Sequence, residues 1–488
     1  MASIVDTLTA AGPGETPKFL NDLLAQLWPN LSVATSNMIK QIAEPMFATM
    51  LPSPLNTLHF KKIDLGKVPI KFANVIVHKT DMDGIKMDLD VDWDGQCDIE
   101  LDASMIPKLG VEHVKLRGRL SILLCPLTNI IPLIGAAQVS FINPPYIHLD
   151  FTDAGGIGDL ALVDRALRKI VLQIISGMAV LPNRFLVKLD AANDYFKTYQ
   201  HPQGILRLTI ESGQDLSTTG DRAQEKPQSK TRRLFQKLKI KDVPDCYIKV
   251  NLSAEPEWRT ATVQNDRHPQ WNETHDFIVT DHDQIVEADV QDADVGGDDD
   301  IGIATTSVKQ LLIAGGRQEL ELMHEEQPTG AKLTLSGKFF RLVAEPNSFG
   351  GGGAPAGGMV GLLTVAVASV SNITGRRQDL KPSVKVTWGV EKSTFRTAIK
   401  ADAPGTDIEN PSFDQAFRIP VLAGTVVGPG GPPVRIVLMD KEEEKGAVEV
   451  SLEELLAAPD MTIQKEFDVG GGAKVRAGVW LRGTKLAE

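Results

Sequence analysis

The sequence predicts an α+β domain followed by two all-β sandwiches. Residues 17–189 combine two apolar helical patterns with several strand patterns, whereas residues 202–345 and 360–485 are runs of short strands separated by turns. Between these two runs lies the Gly-rich stretch 346–359, which holds too few apolar groups to offset its ordering entropy and predicts a flexible linker. A length of 488 residues agrees with three domains.

Composition narrows the class of protein. The net charge of −12 makes the chain as a whole a poor binder of nucleic acid, so we expect no nucleic-acid partner. The three cysteines, Cys97, Cys125 and Cys246, are odd in number and far apart, which favours a reducing compartment, most simply the cytosol. Residues 1–18 are small, polar and slightly acidic, so we expect no signal peptide.

Two helices bracket the first segment. Residues 17–47 carry leucines at three- and four-residue spacing, which predicts an amphipathic helix. The apolar pattern 162–181 predicts a second helix that ends at Pro182. Between them, residues 120–149 contain no Asp, Glu, Lys or Arg and are long enough to span a bilayer. Four prolines interrupt this stretch, however, so two buried strands joined by a Pro-rich turn fit better.

Residues 85–102, "IKMDLDVDWDGQCDIELD", alternate strictly between apolar and charged side chains up to Trp93 and resume this alternation at Ile99. Because side chains in a strand alternate between faces, one face of this strand is apolar and the other is charged. The alternation by itself leaves two interpretations open. The apolar face covers an ordinary filled core, or it lines a cavity for a ligand.

The second segment holds an acidic loop. Residues 288–302 contain six aspartates, and so many neighbouring carboxylates repel one another unless a cation lies among them. Calcium is the natural candidate, because it takes six to eight oxygen ligands from flexible loops. A solvated acidic loop is the equal alternative on this segment alone.

A basic amphipathic segment lies in the same domain. Residues 226–241 hold seven Lys or Arg and no acid, and Leu234, Phe235 and Leu238 would share one side of a short helix. Such a segment is typical of binding to anionic membrane surfaces; a disordered solvated loop is the alternative. The predicted membrane-binding residues are Lys230, Arg232, Arg233, Lys237, Lys239 and Lys241.

Three motifs in order resemble the C2 domain: "KDVPDCYIKV" (241–250), "TVQNDRHPQWNETHDF" (262–277) and the acidic loop. The resemblance implies a sandwich over 202–345 whose loops bind calcium. The implied ligands are Asp245, Asp292, Asp294 and Asp299. Asp221 is a weaker candidate, and Asp298 or Asp300 could take the place of Asp299 if the register of the loop differs. Calcium would cancel the local negative charge and let the basic segment reach the bilayer.

The third segment repeats the C2 skeleton without these ligands. "LKPSVKV" stands where Asp245 stood, and the loop "LMDKEEEKGAVEV" keeps only Asp440. Too few carboxylates converge for calcium, so residues 360–485 are interpreted as a degenerate, calcium-independent C2 domain.

The first domain contains five characteristic stretches: "FLNDLLAQLWPNLS", "KKIDLGKVPIKFANVIVH", "LRGRLSILLCPL", "IPLIGAAQVSFINPP" and "VLPNRFLVKL". With them, residues 17–189 resemble the SMP (synaptotagmin-like, mitochondrial, lipid-binding) domain of extended synaptotagmins and tricalbins. The resemblance implies a TULIP-like twisted tubular sheet with helices, an apolar groove for glycerophospholipid or diacylglycerol, and end-to-end homodimers. The lining candidates, by strand parity, are Ile85, Met87, Leu89, Val91, Ile99, Leu101, Leu120, Ile122, Val139 and Phe141.

The SMP–C2–C2 order implies calcium-regulated lipid transfer and tethering of anionic membranes, with the protein peripheral at contacts between endoplasmic reticulum and plasma membrane. Extended synaptotagmins carry a membrane hairpin before the SMP domain, whereas here only residues 1–16 precede it. Either the C2 domains alone grip membranes, or an anchor is missing from the sequence.

Two rival functions remain. A C2-driven membrane scaffold would bind lipid in the first domain without transporting it. An enzyme is the weaker rival: "GGIGDLA" (155–161) fits G-x-G-x-x-A, but no α/β alternation surrounds it, and Asp190 lies too far along for the ribose contact. We therefore predict no enzymatic activity.

Overall fold

A computed structural model describes most of the chain. The described residues are 17–51, 53, 55–78, 83–103, 106–152, 160–217, 243–293, 298–350, 355, 357–389, 393–403 and 405–487. Within these ranges no helix is both long enough and apolar enough to cross a membrane.

The first domain is a curled antiparallel sheet with two main helices, as the sequence predicted. Its elements are α1 (Lys18–Met50), β1 (His59–Asp64), β2 (Lys71–His78), β3 (Ile85–Ala103), β4 (Ile106–Leu127), β5 (Ile134–Phe141), β6 (Tyr146–Thr152), α2 (Leu160–Ala179) and β7 (Phe185–Lys188). Strands β3 and β4 pair along nearly their whole length and form the axis of the domain. One half of this axis is flanked by β2, β5 and β7, and the other half by β1 and β6.

The first sandwich follows a short helix in the connecting segment. Its elements, with that helix first, are α3 (Tyr195–Thr198), β8 (Gly204–Gln214), β9 (Cys246–Leu252), β10 (Trp258–Arg259), β11 (Gln270–Val279), β12 (Ile285–Asp292), β13 (Asp299–Ser307), α4 (Val308–Ile313), β14 (Arg317–His324) and β15 (Gln327–Val343). Its core is a single cluster that includes Leu206, Ile248 and Phe277.

The second sandwich has a separate core, which includes Val365, Val384 and Val479. Its elements are β16 (Met359–Ser371), β17 (Pro382–Trp388), β18 (Ser393–Arg396), β19 (Ser412–Leu422), β20 (Val434–Asp440), β21 (Glu443–Val450), α5 (Leu452–Ala457), β22 (Thr462–Gly470) and β23 (Ala473–Leu486). Strand β15 pairs with β23, so the two sandwiches share one continuous twelve-stranded sheet. Strand patterns indicate each sandwich but carry no information about this pairing between them.

Aromatic residues of both connecting segments pack against the second sandwich. In the first, α3 brings Tyr195, Phe196 and Tyr199 against Trp480 of the second sandwich. In the second, residues 346–349 form a 3-10 turn, and Phe349 packs against the core of the second sandwich. Burial of these aromatic side chains stabilises the described parts of both connecting segments.

The first domain also packs directly against the first sandwich. Lys86 forms a 2.6 Å ion pair with Asp281, and both side chains are largely buried. The amide of Asn143 donates to the Asp283 carbonyl oxygen, and its oxygen accepts from the backbone N–H of Ile285. These contacts fix which end of the sandwich the first domain meets.

Candidate lipid-binding and calcium sites

One face of the first domain carries three apolar rows that cross its strands. Residues paired directly across antiparallel strands project on the same face, so the strand register defines each row. The outer row is Ile85, Leu124, Ala137 and Val187; the middle row is Val77, Met87, Ile122, Val139 and Phe185; the inner row is Val75, Leu89, Leu120 and Phe141. We call these the apolar rows.

Burial changes across the apolar rows. In the inner row Leu89 is only 1% exposed, and Phe141 packs in a cluster with Val91 and Val180. In the other two rows Val77, Ile85 and Val187 are 57%, 37% and 39% exposed, and Met87, Ile122 and Val139 are half-buried. Removing apolar side chains from water lowers the free energy. An extended apolar face with this exposure is therefore a candidate contact surface for another apolar molecule.

The helices fill the same face at the opposite half of the domain. Trp28 of α1 packs edge-on against Trp93, with ring centroids 5.6 Å apart, and its indole N–H donates to the Gly66 carbonyl oxygen. Leu167 and Ile170 of α2 join Leu101 in a second cluster. The face is therefore closed by protein at one half and left partly open at the half that carries the outer and middle rows.

The predicted lining residues divide accordingly. Within packed clusters, as members or neighbours, lie Val91, Ile99, Leu101, Leu120 and Phe141. On the partly open half of the face lie Ile85, Met87, Ile122 and Val139, with the fully buried Leu89 beside them. Strand parity places these residues on one face, but parity does not reveal where helices cover it.

The reverse face of the same strands is buried and carries polar side chains among apolar ones such as Leu123. Asp88, Ser121 and Ser140 follow one another across β3, β4 and β5, and all three are buried. The His78 ring lies 2.5 Å from the Asp88 carboxylate, and Lys86 pairs with Asp281 of the first sandwich. The charged face of β3 is thus covered by the first sandwich at this half of the domain.

The acidic residues of the first sandwich meet at one strand end. The backbone N–H of Asp245 donates to the Asp292 carboxylate at 2.7 Å, and Asp245 itself accepts from the Asn265 N–H at 2.8 Å. Asp292 is 2% exposed and pairs with Asp299 in the β12–β13 ladder. The register therefore brings the Asp245, Asp292 and Asp299 positions to the same edge.

The neighbouring acids take other partners. Asp300 lies 3.2 Å from His324, and Asp298 accepts from the Tyr247 hydroxyl at 2.5 Å. Asp221, Asp294 and the six predicted membrane-binding residues of segment 226–241 lie outside the described residues. The part of the chain that is described holds no cluster of three or more metal-ligating side chains. Asp245 and Asp292 supply hard carboxylate oxygens of the kind calcium takes, and a complete site requires ligands from the undescribed loops.

The second sandwich has the same hydrogen bond at the equivalent strand end, but Lys381 takes the position of Asp245. The Asp440 carboxylate accepts from the Lys381 N–H at 2.7 Å, as Asp292 does from Asp245. Strand pairing makes the positions equivalent, because Pro382 pairs with Asp440 and Cys246 pairs with Asp292. An ammonium group therefore stands where the first sandwich has a carboxylate.

The acidic end of the first sandwich points away from the first domain. Strand β12 runs from Ile285, which contacts Asn143 of the first domain, to Asp292 at the acidic end. Its eight residues span roughly 23 Å at the usual strand rise. The candidate calcium end and the apolar rows therefore lie on different sides of the interface between these domains.

Comparison with known protein families accounts for most of the chain. The model of the synaptotagmin-like mitochondrial-lipid-binding domain matches residues 14–190, and the C2 domain model matches residues 204–323 and 361–467. Human extended synaptotagmin-2 is 24% identical over 475 residues, which are 93% of this chain and 48% of the human protein. The chain is homologous to the extended synaptotagmins.

A second relative and a solved structure are also similar to this chain. Mouse extended synaptotagmin-1 is 27% identical over 308 residues, covering 62% of this chain and 27% of the mouse protein. A solved structure described as the SMP, C2A and C2B domains of extended synaptotagmin 2 superposes with a TM-score of 0.63 at 20% identity. It covers 97% of this chain and 100% of the solved chain, so the two share a fold. The chain spans about half the length of the human relative.

These matches confirm the predicted domain order and fold class. The matched family models are one lipid-binding domain followed by two C2 domains, as the sequence predicted. From here the two sandwiches are called the first and second C2 domains.

Sequence reasoning missed the residues that join the domains. Arg184 and the segment 195–199 lie between the SMP domain and both C2 domains, and Lys86 and Asp88 are buried rather than solvated. One signal was available: three aromatic residues within five positions, Tyr195, Phe196 and Tyr199, are unusual in a free linker. For Arg184 the sequence offers no such signal.

Proposed function

We propose that this chain transfers glycerophospholipid or diacylglycerol between two membranes that its C2 domains hold together, and that calcium regulates the process through the first C2 domain. The apolar rows carry this proposal. They present apolar side chains from five strands on a face that the helices of the SMP domain close only at its other half. Two acyl chains of ~16 carbons gain on the order of 25 kcal/mol when shielded from water, at ~0.8 kcal/mol per methylene.

The cellular setting is part of the same proposal. We infer a protein peripheral at membranes, acting at contacts between the endoplasmic reticulum and the plasma membrane, with homodimers formed through the SMP domain. Anionic phospholipid membranes are the partners, because calcium and the basic segment 226–241 would both favour them. The family assignment supports this setting.

Transfer of a fluorescent phospholipid between vesicles tests the apolar rows. Ile122→Glu and Met87→Glu each place a carboxylate in the middle row, and we expect at least a tenfold loss of transfer with vesicle tethering retained. Val426→Glu is the matched control, since it adds the same charge at an exposed valine of the second C2 domain. Tethering without any exchange by the wild-type chain would support the scaffold instead, and chemical change of the lipid would support an enzyme.

Calcium binding is tested by titration calorimetry on the full chain. We expect Asp245→Asn and Asp292→Asn to weaken calcium binding at least tenfold and to abolish calcium-stimulated tethering, because each removes a charged oxygen ligand. Asp440→Asn is the control, because it alters the equivalent backbone hydrogen bond in the second C2 domain, where Lys381 replaces the ligand. Undiminished calcium affinity in both ligand variants would contradict the assignment.

A further inference from the structure

A cavity of about 250 Å³ lies where the SMP domain, the connecting segment and both C2 domains meet. Its walls include Arg184 of the SMP domain, Tyr199 of the connecting segment, Thr280 of the first C2 domain and Arg418 of the second. The apolar rows and the acidic strand end contribute none of the residues that line it. The proposed lipid and calcium sites therefore do not account for this cavity.

Arg184 is the unusual member of the wall. It is half-buried and makes no hydrogen bond or ion pair with another described residue, whereas Arg418 pairs with Glu255 at 2.6 Å and Arg476 with Asp194 at 3.1 Å. Burial lowers the pKa of Arg184 to about 10, against the opposing attraction of Asp281. Asp281 is already engaged by Lys86 at 2.6 Å. Arg184 thus offers its donors to the cavity rather than to a protein carboxylate.

Thr280 offers a second unsatisfied group. Its side chain is 6% exposed, and its hydroxyl oxygen has no hydrogen-bond partner among the described residues. The backbone N–H of Thr280 donates to Gln284 at 2.7 Å, which anchors the segment without using the hydroxyl. Because an unpartnered buried polar group costs free energy, a hydroxyl left in this state at a cavity wall points to a bound partner.

The acid in the wall is neutralised. Asp414 lines the cavity, but Lys188 pairs with it at 2.7 Å. The cationic and hydroxyl donors that remain include the Arg184 guanidinium, the Thr280 hydroxyl and the remaining N–H groups of Arg418, and neutral side chains such as Gln200 also line the wall. Guanidinium donors match an anion with several acceptor oxygens, and arginine binds phosphate oxygens in a bidentate way.

We propose that this cavity binds a phosphate group, carried by a lipid headgroup or by a small soluble phosphate compound, with Arg184 as its principal ligand and Thr280 and Arg418 as further donors. The volume equals that of roughly eight water molecules, enough for a phosphate with a small alcohol attached but too little for acyl chains. Since all three domains contribute to the walls, the bound phosphate stabilises their arrangement. This inference does not depend on the proposed lipid transfer.

Calorimetric titration of the full chain with inorganic phosphate, without membranes, tests the site. We expect saturable binding accompanied by a rise in the melting temperature. Arg184→Gln should weaken binding at least tenfold, Thr280→Val severalfold, and Arg184→Lys less than the glutamine variant. The control Arg377→Gln removes an exposed arginine paired with Asp402 and should leave binding unchanged. If the Arg184 variants fail to fold, phosphate binding by the wild-type chain and its loss in Thr280→Val still test whether the cavity binds phosphate.

Competition separates the two sources of phosphate. Displacement of bound phosphate by vesicles containing phosphatidic acid, but not by neutral vesicles, would identify a lipid headgroup. Displacement only by glycerol phosphate would identify a soluble compound. Absence of saturable phosphate binding, or equal losses in Arg184→Gln and Arg377→Gln, would overturn the proposal and indicate a cavity filled by water. Lipid transfer is measured separately, so the two proposals fail independently.

Discussion

At the scale of single residues, two similar domains differ in the charge of one residue at equivalent strand ends. The carboxylates of Asp292 and Asp440 each accept a hydrogen bond from the backbone N–H of the residue immediately before the neighbouring strand. That residue is Asp245 in the first C2 domain and Lys381 in the second. A carboxylate there favours a divalent cation, and an ammonium group repels one. The backbone is retained while the charge is reversed.

His282 makes the stability of the first C2 domain depend on pH, because its ring is buried against Phe339. Burial lowers its pKa to about 4, and its Nε2 has no partner among the described residues. The unfolded histidine binds a proton below about pH 6.5 while the folded one stays neutral, so stability is complete above pH 6.5 and falls towards pH 4. In His282→Leu we expect this loss to be smaller by ~2 kcal/mol.

Urea unfolding at pH 7 and pH 4.5 gives the loss of unfolding free energy on acidification, which is compared between the wild type and His282→Leu. His268→Leu is the control for removing a histidine, since that side chain is mostly exposed. The same loss of stability on acidification in wild type and in His282→Leu would contradict the burial of the neutral ring.

At the scale of elements, strand β3 gives two outcomes from one alternating pattern. Near Trp93 its apolar side chains pack against α1, and its charged side chains face solvent. Near Met87 its apolar side chains are half-buried, and Lys86 and Asp88 are the ones covered by protein. The alternation specifies two faces, and the neighbouring elements decide which face is buried at each point.

Gly66 holds the segment before β2 close to β3. Its φ is +72°, and a Cβ there would overlap the Gln96 carbonyl oxygen. Gly66→Ala should therefore destabilise the SMP domain by about 2–4 kcal/mol, through backbone strain and a clash with backbone that cannot yield. Thermal unfolding with calorimetry measures the effect.

Gly177→Ala is the matched control. Gly177 lies inside α2, and no atom would come within 4 Å of the new Cβ. Alanine there should raise stability by about 0.5–1 kcal/mol, because glycine is the poorer helix former. Equal destabilisation by both substitutions would contradict the close approach at Gly66.

At the scale of the whole molecule, the three domains meet through buried charged and aromatic groups. Lys86 pairs with Asp281 between the SMP domain and the first C2 domain, and Arg418 pairs with Glu255 between the two C2 domains. The aromatic side chains of α3 pack on Trp480. The shared sheet formed by β15 and β23 joins the C2 domains through their backbones. These contacts hold the acidic strand end of the first C2 domain and the apolar rows on different sides of the interface.

Lys86→Met tests how strongly the first domain is held. It leaves the Asp281 carboxylate buried without its partner, which should cost about 3–5 kcal/mol and separate the SMP domain from the first C2 domain. Small-angle X-ray scattering should record a larger radius of gyration, and proteolysis should cut faster between the domains. Lys332→Met breaks an exposed pair with Glu319 and should cost at most about 1 kcal/mol. An unchanged radius in Lys86→Met would contradict a docking role for the pair.

The sequence by itself determined the domain order, the fold classes, the face of β3 that is apolar, and the presence of Lys381 where the first C2 domain has Asp245. Each of these depends on local periodicity or on residue types at fixed spacing. Only the tertiary structure decided that Ile122 and Val139 stay partly open while Leu101 is packed, that Asp88 is buried, and that Arg184 faces a cavity. Such outcomes arise from contacts between residues far apart in the chain, and no local pattern encodes which element will cover which face.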